Sequence, residues 1–414
     1  MKKYLRAYSF QPQHIVLFAF LITALNAIIC LFNGYVFDLN FPNDTFLFSP
    51  KDRFADFLKF MDNFKIVDTW PNDFDYDGAF FPYTMPLSSL FYVFFSYVIK
   101  LFEHPIIVYF GYILSLLFIY FICLKSIGHT YTSIGLSILT YPMIFCIDRG
   151  NYAILIVILI MLALTMKSKL SSIVLISIAT LLRITPFIYF LPLILKSKYS
   201  FKSVFLFCLV FILSLISFHY LALFILDNTL NNQFNSAQNL FSGLDVYQKN
   251  YIERLDGLQY GSSLYMPFRY VMDYTPFYKF GKVFMKPIYF PIILFLLSGL
   301  LLLRRFSLKE LINKFCVYDK ILFILTYSII VFPPVTADYY LLLLLIPLFI
   351  ISNSRYSFGY FISLGLLLAA KNIIFVGDGT VSLQIFINPL LLLLLILGEL
   401  ELIPMIKRTL VENT

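Results

Sequence analysis

The chain has 414 residues, 60 % of them apolar and only 13 % charged, whereas an ordinary soluble domain carries about 25 % charged residues. So little charge cannot clothe a soluble surface, which excludes a soluble enzyme, a disordered tail and a disulfide scaffold. The net charge of +8 fits lysine- and arginine-rich cytoplasmic loops of a membrane protein, and nothing in its pattern argues for nucleic acid.

A helix needs about 20 mostly apolar residues to cross a ~30 Å hydrocarbon core, and such runs recur from residue 15 to residue 398. Stretches such as Leu341–Leu345 and Leu390–Leu395 are continuously apolar, unlike the alternating strands of an outer-membrane barrel. This reads as an all-α polytopic membrane protein, one integral domain over 1–414, in the cytoplasmic (inner) membrane. Three basic residues in MKKYLR precede the first run, Ile15–Phe32, and no small-residue cleavage site follows it. The arrangement predicts a retained first helix that starts in the cytoplasm.

Residues 35–82 hold nine aspartates against four basic residues, a balance of −5, so this first long loop is expected outside. Apolar segments follow at 83–102, 105–124, 130–147, 152–166, 170–182, 184–195 and 203–226. Lys125, Lys167, Lys169, Lys196, Lys198 and Lys202 mark cytoplasmic connections, and Asp148, Arg149 and Arg183 fall on the outer side. With 35–82 outside and Lys125 inside, segments 83–102 and 105–124 make one net crossing, so one of the two is re-entrant or short. A second polar region, 227–286, precedes spans near 287–303, 321–334, 339–353, 357–376 and 382–398. The connection 304–320, with a balance of +3, is cytoplasmic, which places 227–286 outside. The count is 11 to 13 segments. No internal repeat of the kind found in many transporters is evident, and the five cysteines, mostly within apolar stretches, read as packing residues.

Several polar features share the outer side. The first loop contains Asp52-Arg53-Phe54-Ala55-Asp56-Phe57 followed by Leu58-Lys59-Phe60, and Asp56, Phe57 and Phe60 have helical spacing that would lay aromatic rings on the membrane and hold a carboxylate at the water boundary. A carboxylate there suits proton abstraction from an alcohol; the plainer reading is a solvated acidic loop. Phe81-Pro82-Tyr83-Thr84-Met85-Pro86 reads as a helix start. Asp148-Arg149-Gly150-Asn151 and Leu182-Arg183-Ile184-Thr185-Pro186 put ionisable groups beside hydrocarbon, where they mark function by default. Arginine forks hold phosphate well, and the alternative for Arg149 is a local pair with Asp148 or snorkelling. Ser263-Leu264-Tyr265 with Arg269, and Asp338-Tyr339-Tyr340, offer aromatic faces and a carboxylate suited to a sugar, set against the aromatic belt of any membrane protein.

In order along the chain, Arg-Phe-Ala-Asp-Phe, the proline-bearing helix start, Arg-Gly-Asn, Arg-Ile-Thr-Pro, Ser-Ser-Leu-Tyr and Pro-Val-Thr-Ala-Asp-Tyr-Tyr resemble the GT-C membrane glycosyltransferases. The group most similar is glycosyltransferase family 87, the polyprenyl-phosphate-sugar-dependent mannosyl and arabinofuranosyl type. The resemblance implies a GT-C-like bundle with two long extracytoplasmic loops, a sugar donor on polyprenyl phosphate, a glycan or glycolipid acceptor, and transfer with inversion. It implies Asp56 as general base with Asp52 in reserve, and Arg183, Arg149 and Arg269 at the donor phosphate. Asp338, Tyr339, Tyr265 and Asn151 would contact sugar or acceptor. The scheme requires neither metal nor cofactor. Two competing functions are a polysaccharide polymerase or ligase, which would lean on Arg254 and Arg269 of the second loop, and a lipid-linked sugar transporter, which would carry ionisable residues at mid-membrane.

Overall fold

The computed structural model describes residues 10–38, 47, 54, 56–58, 86–196, 201–229, 261–267, 270, 316–333, 338–351, 356–371, 375–376, 381–382 and 384–399. In chain order the helices are α1 (Pro12–Phe37), α2 (Pro86–Phe102), α3 (Pro105–Ile127), α4 (Tyr131–Ile138), α5 (Tyr141–Arg149), α6 (Ala153–Thr165) and α7 (Lys169–Leu182). A 3-10 turn (Thr185–Tyr189), α8 (Phe190–Lys196), α9 (Phe201–Thr229) and α10 (Cys316–Val331) follow. A 3-10 segment (Asp338–Leu344) leads into α11 (Leu345–Ile350), then come α12 (Phe358–Leu368) and α13 (Gln384–Glu399). The strand pairing among the described residues is two residues long, Phe375–Val376 against Val381–Ser382.

Among the described residues, three helices, α1, α3 and Val204–Leu226 of α9, are long and apolar enough to cross a membrane, and they identify the chain as a membrane protein. Most of their exposed residues are apolar, as in Leu21, Leu25 and Ile28 of α1 or Phe205, Ile212 and Phe224 of α9, a surface that lipid rather than water would solvate. The expected segment 130–147 is two helices, α4 and α5, bent by 55°. Pro142 explains the break, since a proline is accommodated in a first turn but not in a helix interior. The other apolar helices among the described residues run 10–17 residues, below the ~20 that a perpendicular crossing needs. α2, with 17 residues, is the shorter of the pair it forms with the 23-residue α3. The expected span 287–303 and most of both long loops lie outside the described residues.

Two compact units are present, each built from discontinuous stretches. One comprises Leu47–Thr130 and Met143–Arg254. Its centre is α6, in which Ile154, Val157, Ile158, Ile160, Met161, Ala163 and Leu164 are all buried, as expected of a helix apolar on every face. α7 packs antiparallel against α6. Its buried Ser172, Ser177 and Thr180 turn their hydroxyls back onto the carbonyls of Ser168, Ile173 and Ile176 at 3.0, 2.9 and 2.7 Å, which satisfies these polar groups within the helix.

The other unit comprises Met1–Phe46, Tyr131–Pro142 and Leu255–Thr414. Here α1 packs on α12 at Gly365, where a methyl group would stand 2.3 Å from a ring carbon of Phe18. The Ala370 amide donates to Thr23 Oγ1 at 3.1 Å, and Phe10 stacks on Phe361 at 4.1 Å. Cys30 is buried here, as Cys123 and Cys146 are in the first unit, and none of the three forms a disulfide among the described residues.

Candidate functional site

The first loop meets the α5–α6 connection within the first of these units. Phe54, with a left-handed φ of 59°, donates its amide to the Asp148 carbonyl at 2.7 Å, and its own carbonyl accepts from the amides of Phe57 and Leu58 at 2.9 Å each. That turn starts the short helical stretch 56–58. Phe57 is fully buried, stacked on Tyr112 at 5.3 Å and edge-on to Phe95 and Tyr109. The sequence placed this ring on the membrane surface. The structure buries it instead, because α2 and α3 supply an aromatic slot that the loop alone does not reveal.

Phe57 anchors Asp56 against two residues from far along the chain. Arg149 Nη2 lies 2.6 Å from Asp56 Oδ1, with both side chains about 85 % buried, and Asn151 Nδ2 donates to Asp56 Oδ2 at 2.8 Å. Arg149 thus reaches the first-loop acid, 93 residues before it in the chain. The orientation of the Asn151 amide follows from local structure: its Oδ1 accepts the Ala153 amide at the start of α6 at 3.0 Å, which leaves Nδ2 to face Asp56. Between them Gly150 adopts φ 69°, and a methyl group there would stand 2.7 Å from Phe57 Cβ. Arg-Gly-Asn is therefore one device, in which the glycine lets the loop helix approach while the flanking residues grip its carboxylate. Tyr109 of α3 supports it by donating its hydroxyl to the Ile147 carbonyl.

Arg183 belongs to the same end of the same helices. Tyr152, next to Asn151, donates its hydroxyl to the Leu182 carbonyl at 3.1 Å, and the charges of Asp56 and Arg183 both act on Tyr92 and Cys146. Arg183, which follows Leu182 at the end of α7, thus lies at the same helix ends as the cluster of Asp56, Arg149 and Asn151. Lys125 closes the far end of α3, and Lys167 and Lys169 flank the α6–α7 turn. Those ends are about 18 Å from the cluster along α6, at 1.5 Å per residue.

Asp338 and Tyr265 are buried in the other unit. Asp338 accepts from Ser262 Oγ at 2.7 Å, Tyr141 Oη at 3.1 Å, the Gln384 amide, and Asn388 Nδ2 at 3.5 Å. Asn388 Nδ2 also donates to Ser262 Oγ at 3.0 Å. The Lys371 ammonium attracts the Asp338 carboxylate while donating to the carbonyls of Leu366 and Ala369. A buried carboxylate is costly unless donors surround it, and three segments of the chain supply them here. Tyr339 stacks on Tyr340 at 5.3 Å. Sequence reasoning overlooked Tyr141, Gln384 and Asn388. The available signal was the pair Gln384 and Asn388, four residues apart in an apolar run and hence on one helix face.

Asp52 and Arg269 lie outside the described residues. Among the described residues no group of three or more His, Cys, Asp or Glu side chains could hold a metal ion. Comparison with protein-family models, curated proteins and solved structures finds no match to this chain.

Proposed function

We propose that the protein is a GT-C-type membrane glycosyltransferase that moves a sugar from a polyprenyl-phosphate donor to a glycan or glycolipid acceptor on the extracytoplasmic side, with inversion. The observation that carries the reading is the seating of the first-loop Asp56 between Arg149 and Asn151, with Arg183 at the same helix ends. Gathering an acid and two cations there suits transfer between a hydroxyl and a phosphate ester.

In this scheme the acceptor oxygen bonds to the anomeric carbon as the bond from that carbon to phosphate oxygen breaks. The electron pair leaves with polyprenyl phosphate, and the hydroxyl proton passes to Asp56. A carboxylate has about four lone-pair sites. Arg149 and Asn151 use one on each oxygen, which leaves each oxygen able to accept the incoming hydroxyl. General-base assistance of this type contributes about 10²–10⁴ in rate. Arg183 stabilises the charge that develops on the leaving phosphate, and Arg149 holds the base in place. The lysines at the opposite helix ends support placing the cluster on the outer side.

The test is incubation of the purified protein, in lipid, with a panel of polyprenyl-phosphate sugars and acceptor glycans, reading free polyprenyl phosphate by mass spectrometry. Release by the wild type and its loss in Asp56→Asn, with membrane insertion and a cooperative thermal transition kept, is the expected result. Near-normal release by Asp56→Asn removes Asp56 as base, and no release from any donor overturns the assignment.

A further inference from the structure

A cavity of about 370 Å³ lies at the α6–α7 turn, remote from the Asp56 cluster, between the end of α6, the start of α7, α8 and α9. The volume falls within the ~300–1,000 Å³ of small-molecule sites. Its walls divide by chemistry. Ala163, Phe190 and Phe207 present apolar surface, while Lys167, Lys169 and Ser172 bring two cations and a hydroxyl. Phe190 is held by stacking on Phe211 at 4.4 Å and 18°, so one apolar wall is fixed by packing. Beside Phe207, α9 exposes Phe205, Leu206 and Leu209, the face that hydrocarbon would cover, so the cavity borders the lipid.

An apolar pocket edged by lysines at a helix end complements an amphiphile with an acyl tail and a phosphate head: the tail removes apolar wall from water, and the ammonium groups meet the phosphate. We propose that this cavity holds one anionic glycerophospholipid of the bilayer, its acyl chain against Ala163, Phe190 and Phe207 and its phosphate on Lys167 and Lys169. The site is separate from the proposed transferase cluster and independent of that reading.

Native mass spectrometry of the full chain, extracted in mild detergent and offered phosphatidylglycerol or phosphatidylcholine, tests it. The wild type is expected to retain one phosphatidylglycerol in preference to phosphatidylcholine. The variant Lys167→Gln with Lys169→Gln alters only exposed side chains and should bind phosphatidylglycerol about five-fold more weakly per lysine removed. Ala163→Leu, which narrows the cavity and keeps both charges, should also weaken retention. Equal retention of the two lipids, or unchanged phosphatidylglycerol binding by the double lysine variant, overturns the proposal. Displacement of the bound lipid by millimolar glycerol phosphate would show that the head alone suffices and overturn the role given to the tail.

Discussion

At the scale of single residues, the Asp56 seat makes separable predictions. Arg149→Ala removes a charge-assisted bond from a carboxylate about 85 % buried, and truncating one partner of a buried ion pair costs about 3–5 kcal/mol; partial exposure of this pair reduces the figure to about 2 kcal/mol. Thermal unfolding in detergent should show that loss, and Arg149→Lys should restore part of it. Gly150→Ala forces a left-handed φ onto an L side chain, at about 1–2 kcal/mol, and drives a methyl group into Phe57. Cysteine accessibility at position 58 reads the outcome: Leu58 is buried, so Leu58→Cys should be protected from a maleimide in the parent and labelled in the Gly150→Ala background. Sequence reasoning selected Asp56, Arg149, Asn151 and Arg183 because charged or amide groups beside hydrocarbon are conspicuous. It missed the burial of Phe57, since 48 phenylalanines give each one little distinctive context and the slot is supplied by α2 and α3, far along the chain.

At the scale of elements, hydropathy and punctuation located most helices well. The expected segments 152–166 and 170–182 correspond to Ala153–Thr165 and Lys169–Leu182, because Lys-Ser-Lys interrupts the apolar run and Ser168 offers its side chain to the Ser171 amide. The bend between α4 and α5 escaped because Leu139, Tyr141 and Met143 keep the hydropathy high across it; Pro142 and the back-bond from Thr140 Oγ1 to the Ser137 carbonyl carry the break. Element packing is testable at Gly365 of α12. Gly365→Ala must displace Phe18 of α1, an overpacking worth about 1–3 kcal/mol. A lower unfolding midpoint that Phe18→Leu partly restores is the expected result.

At the scale of the whole molecule, the Asp338 cluster gathers partners separated from it by 197, 76, 46 and 50 residues. Replacing Asp338 by alanine strands several buried donors at about 1–3 kcal/mol each. It should therefore lower the unfolding midpoint more than Asp56→Asn, which leaves a polar group in place. The local pattern offers only the i, i+4 pair Gln384 and Asn388; that Ser262 and Tyr141 meet them at one carboxylate emerges from the fold. The long separation within the Asp56 seat bears on how the chain is made. Asp56 leaves the ribosome 93 residues before Arg149 and 95 before Asn151, an interval of roughly 5–20 s at ordinary synthesis rates. Nascent chains arrested before Arg149 therefore present an ungripped first loop, and the acid and its cation come together only after the α5–α6 connection has been translated.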